Sequence, residues 1–281
     1  MSTVVFLGGG RITSAMLAGL RLAKTKHRLV VHDHNPGKLR ALRKQYGVTT
    51  EPDLKRALQQ AEILIVAVRP NSVAKLLSVA RTLLSASVQC PICRRGQECP
   101  RHTSMIAVSL AAGIPLRVLQ AALGSPVRWA RAMPSPVCRC GRGLTGVTFP
   151  RTLPHRDRRR VIDLFGSFGQ VIEIPESKFD AFTVTYSCSH GYHALDALAK
   201  AGQAAGLDRQ VALVASAHAL ADGIFAWREG KGPLQSLLKE AATPGGIAAT
   251  TMAAMDAEGY RKAVGKGVRA GLRRARANRR P

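Results

Sequence analysis

A strand, a glycine turn and a helix follow one another early in this chain, and this arrangement restricts its fold more than any other feature. The apolar residues 4–7 run directly into glycines 8–10, after which apolar residues recur with helical spacing. Such a turn lets a pyrophosphate approach the backbone, and the first amides of the helix point at it. Thr13 stands where a smaller residue usually packs. A second apolar strand, residues 28–32, ends at Asp33, as a βαβ unit requires. We therefore predict dinucleotide binding rather than an ordinary strand–turn–helix.

The same βαβ unit supplies most of the predicted cofactor contacts. An acid at position 33 suits ribose hydroxyls and repels a ribose phosphate, which favours NADH. The neighbouring basic and polar side chains could offset that repulsion and accept NADPH. The sequence leaves both cofactors open. The predicted contacts are Leu7, Gly8, Gly9, Gly10, Arg11, Ile12, Asp33, His34, Asn35 and Lys38.

Strand and helix patterns alternate in the first half of the chain, which is typical of a parallel sheet covered on both faces. After Pro175 the chain becomes alanine-rich and helical. We predict an α/β fold with a doubly wound Rossmann sheet in residues 1–175 and an all-helical domain in residues 176–281. Because those helices contain few bulky residues, we expect them to form the interface of a homodimer or larger homo-oligomer.

Composition narrows the class of protein. Of 281 residues, 46% are apolar, which is typical of a globular protein. No run approaches the roughly 20 apolar residues of a membrane span, and no export signal is evident, so we expect a cytoplasmic protein whose six cysteines are not disulfide-bonded. The net charge of +25 attracts anions. With few aromatic residues for base stacking, we favour a solvated arginine-rich surface over a nucleic-acid site.

Four potential metal ligands are grouped between a predicted helix and the strand that follows it. They form a Cys-x2-Cys pair and a Cys-x2-His pair, and the soft or borderline ligands at this spacing suit tetrahedral zinc. A basic surface loop with free thiols fits the same residues, and the sequence leaves the two open. The candidate structural zinc ligands are Cys90, Cys93, Cys99 and His102, within an insert at residues 88–103.

Several further motifs appear in a recognisable order along nearly the whole chain. They are residues 6–10 (FLGGG), 67–70 (AVRP), 109–114 (SLAAGI), 131–134 (RAMP) and 243–246 (TPGG). The chain thereby resembles the pyrroline-5-carboxylate reductases. The resemblance implies a Rossmann domain followed by a helical dimerisation domain, with the active site between the cofactor domain of one subunit and the helices of its partner. It also implies reduction of a cyclic imine carboxylate to an amino acid such as proline by NADH or NADPH.

The resemblance implies further site residues. Additional cofactor contacts are Val68, Arg69, Pro70 and Ala112. Substrate contacts are Met133, Pro134, Ser135, Thr243, Pro244, Gly245, Gly246, Ile247 and Ala248. The loop at 243–246 would hold the substrate carboxylate on backbone amides; on spacing alone, an ordinary turn between helices is an equal alternative.

Three departures from the family pattern concern the substrate. Ser135 replaces an asparagine, residues 186–192 lack a glycine-rich segment, and Ala248 replaces a threonine near the substrate nitrogen. Because alanine donates no hydrogen bond, another group or a water must supply the proton. The candidates are Ser187, Ser189, His190 and Tyr192. We expect an imine reductase for a pyrroline carboxylate or related imine; the alternative is a non-catalytic nucleotide- or nucleic-acid-binding relative.

Overall fold

The computed structural model describes residues 1–87, 105–230 and 232–279. In this part of the chain eight strands form one sheet in the order β3-β2-β1-β4-β5-β6-β7-β8. Neighbouring strands are parallel except for the antiparallel pair β6 and β7. The predicted doubly wound sheet is confirmed. Its strands are β1 (Thr3–Leu7), β2 (Arg28–His32), β3 (Thr49–Thr50), β4 (Ile63–Val66), β5 (Ile106–Ser109), β6 (Arg128–Pro134), β7 (Gly143–Thr148) and β8 (Gly169–Glu173).

Helices cover both faces of this sheet. One face packs against α1 (Arg11–Leu22), α2 (Pro36–Tyr46) and α6 (His155–Gly166). The other packs against α3 (Leu54–Gln59), α4 (Pro70–Ser87) and α5 (Leu116–Ala122). Burial on both faces explains why the central strands read as continuous apolar runs, as in the fully buried Ile63–Val66.

Six more helices follow β8 in the described residues, and no strand lies among them. They are α7 (Glu176–Thr185), α8 (Cys188–Ala204), α9 (Arg209–Gly230), α10 (Leu234–Ala241), α11 (Ile247–Ala257) and α12 (Tyr260–Ala277). The predicted all-helical second part is therefore confirmed.

Backbone proximity divides the chain into two units: one comprises Met1–Tyr186 and the residues from Gly271 onward, and the other comprises Ser187–Ala270. This division differs from the boundary at residue 175 that composition indicates. Residues 176–186 belong with the sheet because α7 packs on β7 and places two carboxylates on the buried Arg131. A composition change does not reveal such a contact.

The second unit leaves many large apolar side chains exposed in the single chain. On α9 these include Val211, Ile224, Phe225 and Trp227. By length and composition α9 is also long and apolar enough to cross a membrane, contrary to the expectation that no segment of the chain is. Charges at both ends of α9 and Asp222 within it interrupt the run of apolar residues. A helix of this kind needs a cover for its apolar surface.

Candidate functional site

The glycine turn after β1 has the geometry of an anion-binding loop. Gly8 has φ +107°, a backbone conformation that favours glycine, and a Cβ there would lie 2.8 Å from the Ala67 carbonyl oxygen. Its amide donates to the His32 carbonyl at 2.8 Å. Gly10 precedes α1 without a side-chain cap, and a Cβ at this position would meet nothing within 4 Å. Among the described residues no side chain caps the first amides of α1, and a phosphate can accept their hydrogen bonds.

Thr13 departs from the usual small residue of this fingerprint, and its surroundings explain why it fits. The side chain is fully buried. Its hydroxyl donates a 2.5 Å hydrogen bond to the Gly8 carbonyl oxygen. The extra volume of threonine therefore comes with a bond that holds the glycine turn against α1.

Asp33 lies behind the glycine turn with both carboxylate oxygens engaged. Oδ2 accepts the Gly9 amide at 2.7 Å and Oδ1 accepts the Asn35 amide at 2.8 Å. Burial of this side chain disfavours its charge, but the two amides, followed by Lys38 and His34, outweigh burial and lower the pKa of Asp33. Asp33 thus stays ionised and shapes the turn, a role that the sequence did not predict alongside ribose binding.

Two basic side chains stand next to Asp33 on the solvent side. His34 Nδ1 lies 3.5 Å from Oδ1 and Lys38 Nζ lies 3.6 Å from Oδ2, and both side chains are exposed. Asn35, a third predicted contact, caps α2 by accepting the amides of Gly37 and Lys38. The cap holds Lys38 in the first turn of α2, so its ammonium remains at this rim.

The remaining predicted cofactor contacts follow β4 and β5. The chain reverses direction across the sheet between β1 and β4, and this switch point is where such sheets bind dinucleotides. The Ala67 amide donates to Leu7 and the Leu110 amide to Val66, which aligns the loops at the same edge. These loops carry the predicted contacts Val68, Arg69, Pro70 and Ala112, of which Arg69 is exposed.

Met133, Pro134 and Ser135 close β6 in the first unit. Ser135 is buried, and its hydroxyl accepts the Val137 amide at 3.2 Å, capping a 3₁₀ helix at Pro136–Cys140. Burial raises the pKa of Cys138 in this helix to about 12. This thiol therefore stays protonated and inert, as an ordinary buried cysteine does.

The loop before α11, in the second unit, has the features of the predicted carboxylate site. Gly245 has φ +71°, and the Gly246 amide donates to the Thr243 carbonyl at 2.9 Å. Gly246 precedes the helix without a side-chain cap, and Ile247 is 89% exposed. Pro244 and Ala248 are exposed as well. The first amides of α11 are consequently accessible to an anion.

The four predicted proton donors lie at the start of α8, also in the second unit. Ser187 is the helix cap, accepting the Ser189 amide, and the two hydroxyls lie 2.7 Å apart. Tyr192 is 69% exposed, and His190 is exposed. Helix capping alone explains why serines lie at positions 187 and 189. A catalytic role for any of the four residues therefore stays a prediction.

The four predicted zinc ligands lie outside the described residues. Among the described residues no three His, Cys, Asp or Glu side chains are grouped to hold a metal ion. Zinc at Cys90, Cys93, Cys99 and His102 therefore stays a prediction.

A buried ionic network was not expected from the sequence. Arg131, in the middle of β6, pairs with Glu176 at 2.9 Å and Asp180 at 3.2 Å, and Asp180 pairs with Arg279 at 2.7 Å. The one available signal was an arginine inside an apolar strand, because a buried charge requires partners. Its partners lie 45 or more residues away in the chain.

Two family models match the chain. The model described as NADP oxidoreductase coenzyme F420-dependent matches residues 3–88, which include the glycine turn and Asp33. The model described as Pyrroline-5-carboxylate reductase dimerisation matches residues 176–278, which include α9 and the loop before α11.

Individual relatives agree with these models. The pyrroline-5-carboxylate reductase of Mycobacterium leprae is 32% identical over 226 residues, which cover 79% of this chain and 72% of that protein. The enzyme of that name from Mycobacterium tuberculosis is 29% identical over 98% of this chain and 96% of that protein. A crystal structure of Plasmodium falciparum pyrroline carboxylate reductase with NADP bound has a TM-score of 0.83 at 20% identity, covering 99% of this chain and 98% of that one.

Proposed function

The chain belongs to the pyrroline-5-carboxylate reductase family of NAD(P)H-dependent oxidoreductases, and we propose that it reduces a pyrroline carboxylate to the corresponding cyclic amino acid. The observation that carries the proposal is the open, uncapped start of α1 behind Gly8 and Gly10 at the switch point of the sheet. This arrangement fits a dinucleotide pyrophosphate, which a reductase of this kind needs.

The chain's own residues bind and orient in this reaction. When bound, the reduced nicotinamide supplies a hydride to the imine carbon while the imine nitrogen takes up one proton. The first amides of α11, beginning with that of the exposed Ile247, would hold the substrate carboxylate through the positive end of the helix. Alignment of the imine carbon with the hydride donor is the main contribution that a protein makes to hydride transfer.

Proton delivery is proposed for the segment at the start of α8. Ser187, Ser189, His190 and Tyr192 are the candidates, directly or through a water, because Ala248 has no donor. The test is to substitute these four residues one at a time. The proton donor is the residue whose substitution lowers kcat without changing the affinity for the cofactor.

For the cofactor we propose NADPH over NADH. Asp33 is turned inward to the Gly9 and Asn35 amides, so its charge is partly satisfied by the backbone. His34 and Lys38 remain exposed beside it and can bind a ribose 2′-phosphate. The P. falciparum relative binds NADP, which supports the same choice.

Assembly is proposed to occur through the second unit. The match to the dimerisation model covers α8 to α12, and the exposed Phe225 and Trp227 on α9 require a cover. A second copy of this chain has an apolar surface that can cover α9. We therefore interpret α9 as an interface helix rather than a membrane span. The cytoplasmic location stays a prediction.

The activity is tested with purified protein and a panel of pyrroline-2- and pyrroline-5-carboxylates with NADPH or NADH. We expect oxidation of the reduced cofactor and formation of the cyclic amino acid. The matched control is 1-pyrroline, which lacks the carboxylate and should show a much higher KM. If no pyrroline carboxylate is reduced with either cofactor, the proposed function is wrong.

A further inference from the structure

The last turn of α12 and the residues after it lie against the loop that connects β5 to α5 (residues 110–115, the β5–α5 loop). Asn278 Nδ2 donates a 3.1 Å hydrogen bond to the carbonyl oxygen of Ala112. Gly113 has φ +80°, and a Cβ there would collide with the Ala275 carbonyl oxygen. The two backbones are in such close contact that the path of this loop depends on residues 275–278.

Glu176 fixes the other end of the same loop. Its Oε1 accepts the amide of Leu116, the first residue of α5, at 3.0 Å. The same oxygen accepts Arg131 Nη1 at 2.9 Å. Arg131 is almost completely buried in β6, the strand next to β5, so Glu176 is held in place from the sheet.

Ion pairs join the two attachment points. Asp180 accepts Arg131 Nη2 at 3.2 Å and Arg279 Nη2 at 2.7 Å. Arg279 directly follows Asn278, so the network that holds Glu176 also holds the residue that contacts Ala112. The β5–α5 loop is thereby clamped at both ends by groups that are distant in sequence.

The position of this loop indicates what the clamp is for. In doubly wound sheets the two halves of the dinucleotide lie on opposite sides of the switch point. Here the glycine turn and Asp33 serve the side of β1 and β2, whereas β5 belongs to the other side. The β5–α5 loop therefore serves the nicotinamide half.

We propose that Asn278 is a positioning residue for the nicotinamide half of the cofactor, acting through the Ala112 carbonyl and the β5–α5 loop. This inference rests on the proposed function, because it assumes a bound nicotinamide dinucleotide. Asn278 contacts neither substrate nor cofactor in this scheme; it determines where the loop stands. Losing its hydrogen bond frees the loop without disturbing the glycine turn.

The test separates the two halves of the cofactor. Full-length Asn278→Ala and Asn278→Asp are compared with the wild type for affinity toward NADPH and toward adenosine 2′,5′-bisphosphate, which lacks the nicotinamide half. The matched control is Arg276→Ala, since Arg276 is exposed in the same segment and its side chain has no bond to any other described residue. The kcat at saturating NADPH is measured in parallel.

We expect the Kd for NADPH to rise about fivefold in Asn278→Ala, the usual effect of one neutral hydrogen bond. Asn278→Asp keeps the oxygen that accepts Arg274 Nη1 at 2.8 Å and should raise the Kd as well, because its second carboxylate oxygen would face the Ala112 carbonyl. The Kd for adenosine 2′,5′-bisphosphate should stay unchanged, and kcat should fall. An equal rise in the Kd for both ligands, or no change in the Kd for either, overturns the inference. Because the affinities need no turnover, a wild type that binds NADPH but reduces no imine refutes the proposed function and still leaves the role of Asn278 to be decided.

Discussion

Replacement of Asp33 by asparagine is expected to lower stability while raising the preference for NADPH. The carboxylate accepts the Gly9 and Asn35 amides at 2.7 and 2.8 Å. Hydrogen bonds to a charged group contribute about 1.5–3 kcal/mol each, and neutral ones about 0.5–1.5. Asparagine keeps only one acceptor oxygen, so one of the two amides loses its partner and the other bond becomes neutral, which together cost about 3 kcal/mol. Relief from burying a charge offsets part of this loss, and we expect the free energy of unfolding of Asp33→Asn to fall by about 2 kcal/mol, measured by urea denaturation.

The pH dependence of this difference follows from the direction of the pKa shift. Folding lowers the pKa of Asp33 below its ordinary value of 3.8. The stabilisation is therefore complete above the unfolded pKa and is lost as pH falls through the lowered folded pKa. We expect wild type and Asp33→Asn to differ in stability at neutral pH and to converge in this acidic window.

Cofactor preference is the second readout of the same variant. Removing a negative charge next to a ribose 2′-phosphate should favour NADPH by about 1 kcal/mol, or roughly fivefold in the ratio of kcat/KM for NADPH to that for NADH. The control is Asp53→Asn: Asp53 caps α3 through the Arg56 amide at 2.8 Å, and asparagine caps a helix equally well. A ratio that moves toward NADH in Asp33→Asn would refute the reasoning.

Three further predictions concern other parts of the molecule. Asp180→Asn leaves the buried Arg131 without one of its carboxylates and should reduce the free energy of unfolding in urea by about 3 kcal/mol. Phe225→Arg puts a charge on the exposed apolar surface of α9; light scattering should show smaller assemblies, and an unchanged mass contradicts an α9 interface. Gly8→Ala places a Cβ 2.8 Å from the Ala67 carbonyl and should abolish binding of NADPH, followed by its fluorescence; Gly47→Ala, also at positive φ but in open space, should retain binding.

Most of the sheet could be predicted because its strands are buried on both faces and therefore read as apolar runs. Where that condition fails, the sequence gives little signal. β3 has only two residues, both threonines, and β7 reads GLTGVT with two glycines. β6 extends beyond its apolar part because Arg131 remains buried, and only its tertiary pairing with Glu176 and Asp180 permits that.

The cofactor loop was predictable for a local reason: the turn, the helix start and the acid at the end of β2 are fixed by neighbouring residues. The substrate-binding and proton-donor residues are harder to predict from local sequence. Ser187 shows why, since one hydroxyl in one position suits a helix cap and a proton donor equally. The residues joined to the β5–α5 loop were missed because Asn278 contacts Ala112 across 166 positions of sequence.

Asp33 shows why residue identity alone is a poor guide to cofactor preference at this position. An acid at the end of β2 repels a 2′-phosphate less strongly when neighbouring groups already engage its charge. Here the Gly9 and Asn35 amides each bind one carboxylate oxygen, and the exposed Lys38 and His34 lie within 3.6 Å of the nearly buried carboxylate. A ribose phosphate therefore meets the combined charge of Asp33, His34 and Lys38, and the exposed side chains of the three are the two basic ones. The same carboxylate also shapes the glycine turn, so evolution toward either cofactor by changing Asp33 would alter pyrophosphate binding as well, whereas changes at His34 or Lys38 would not.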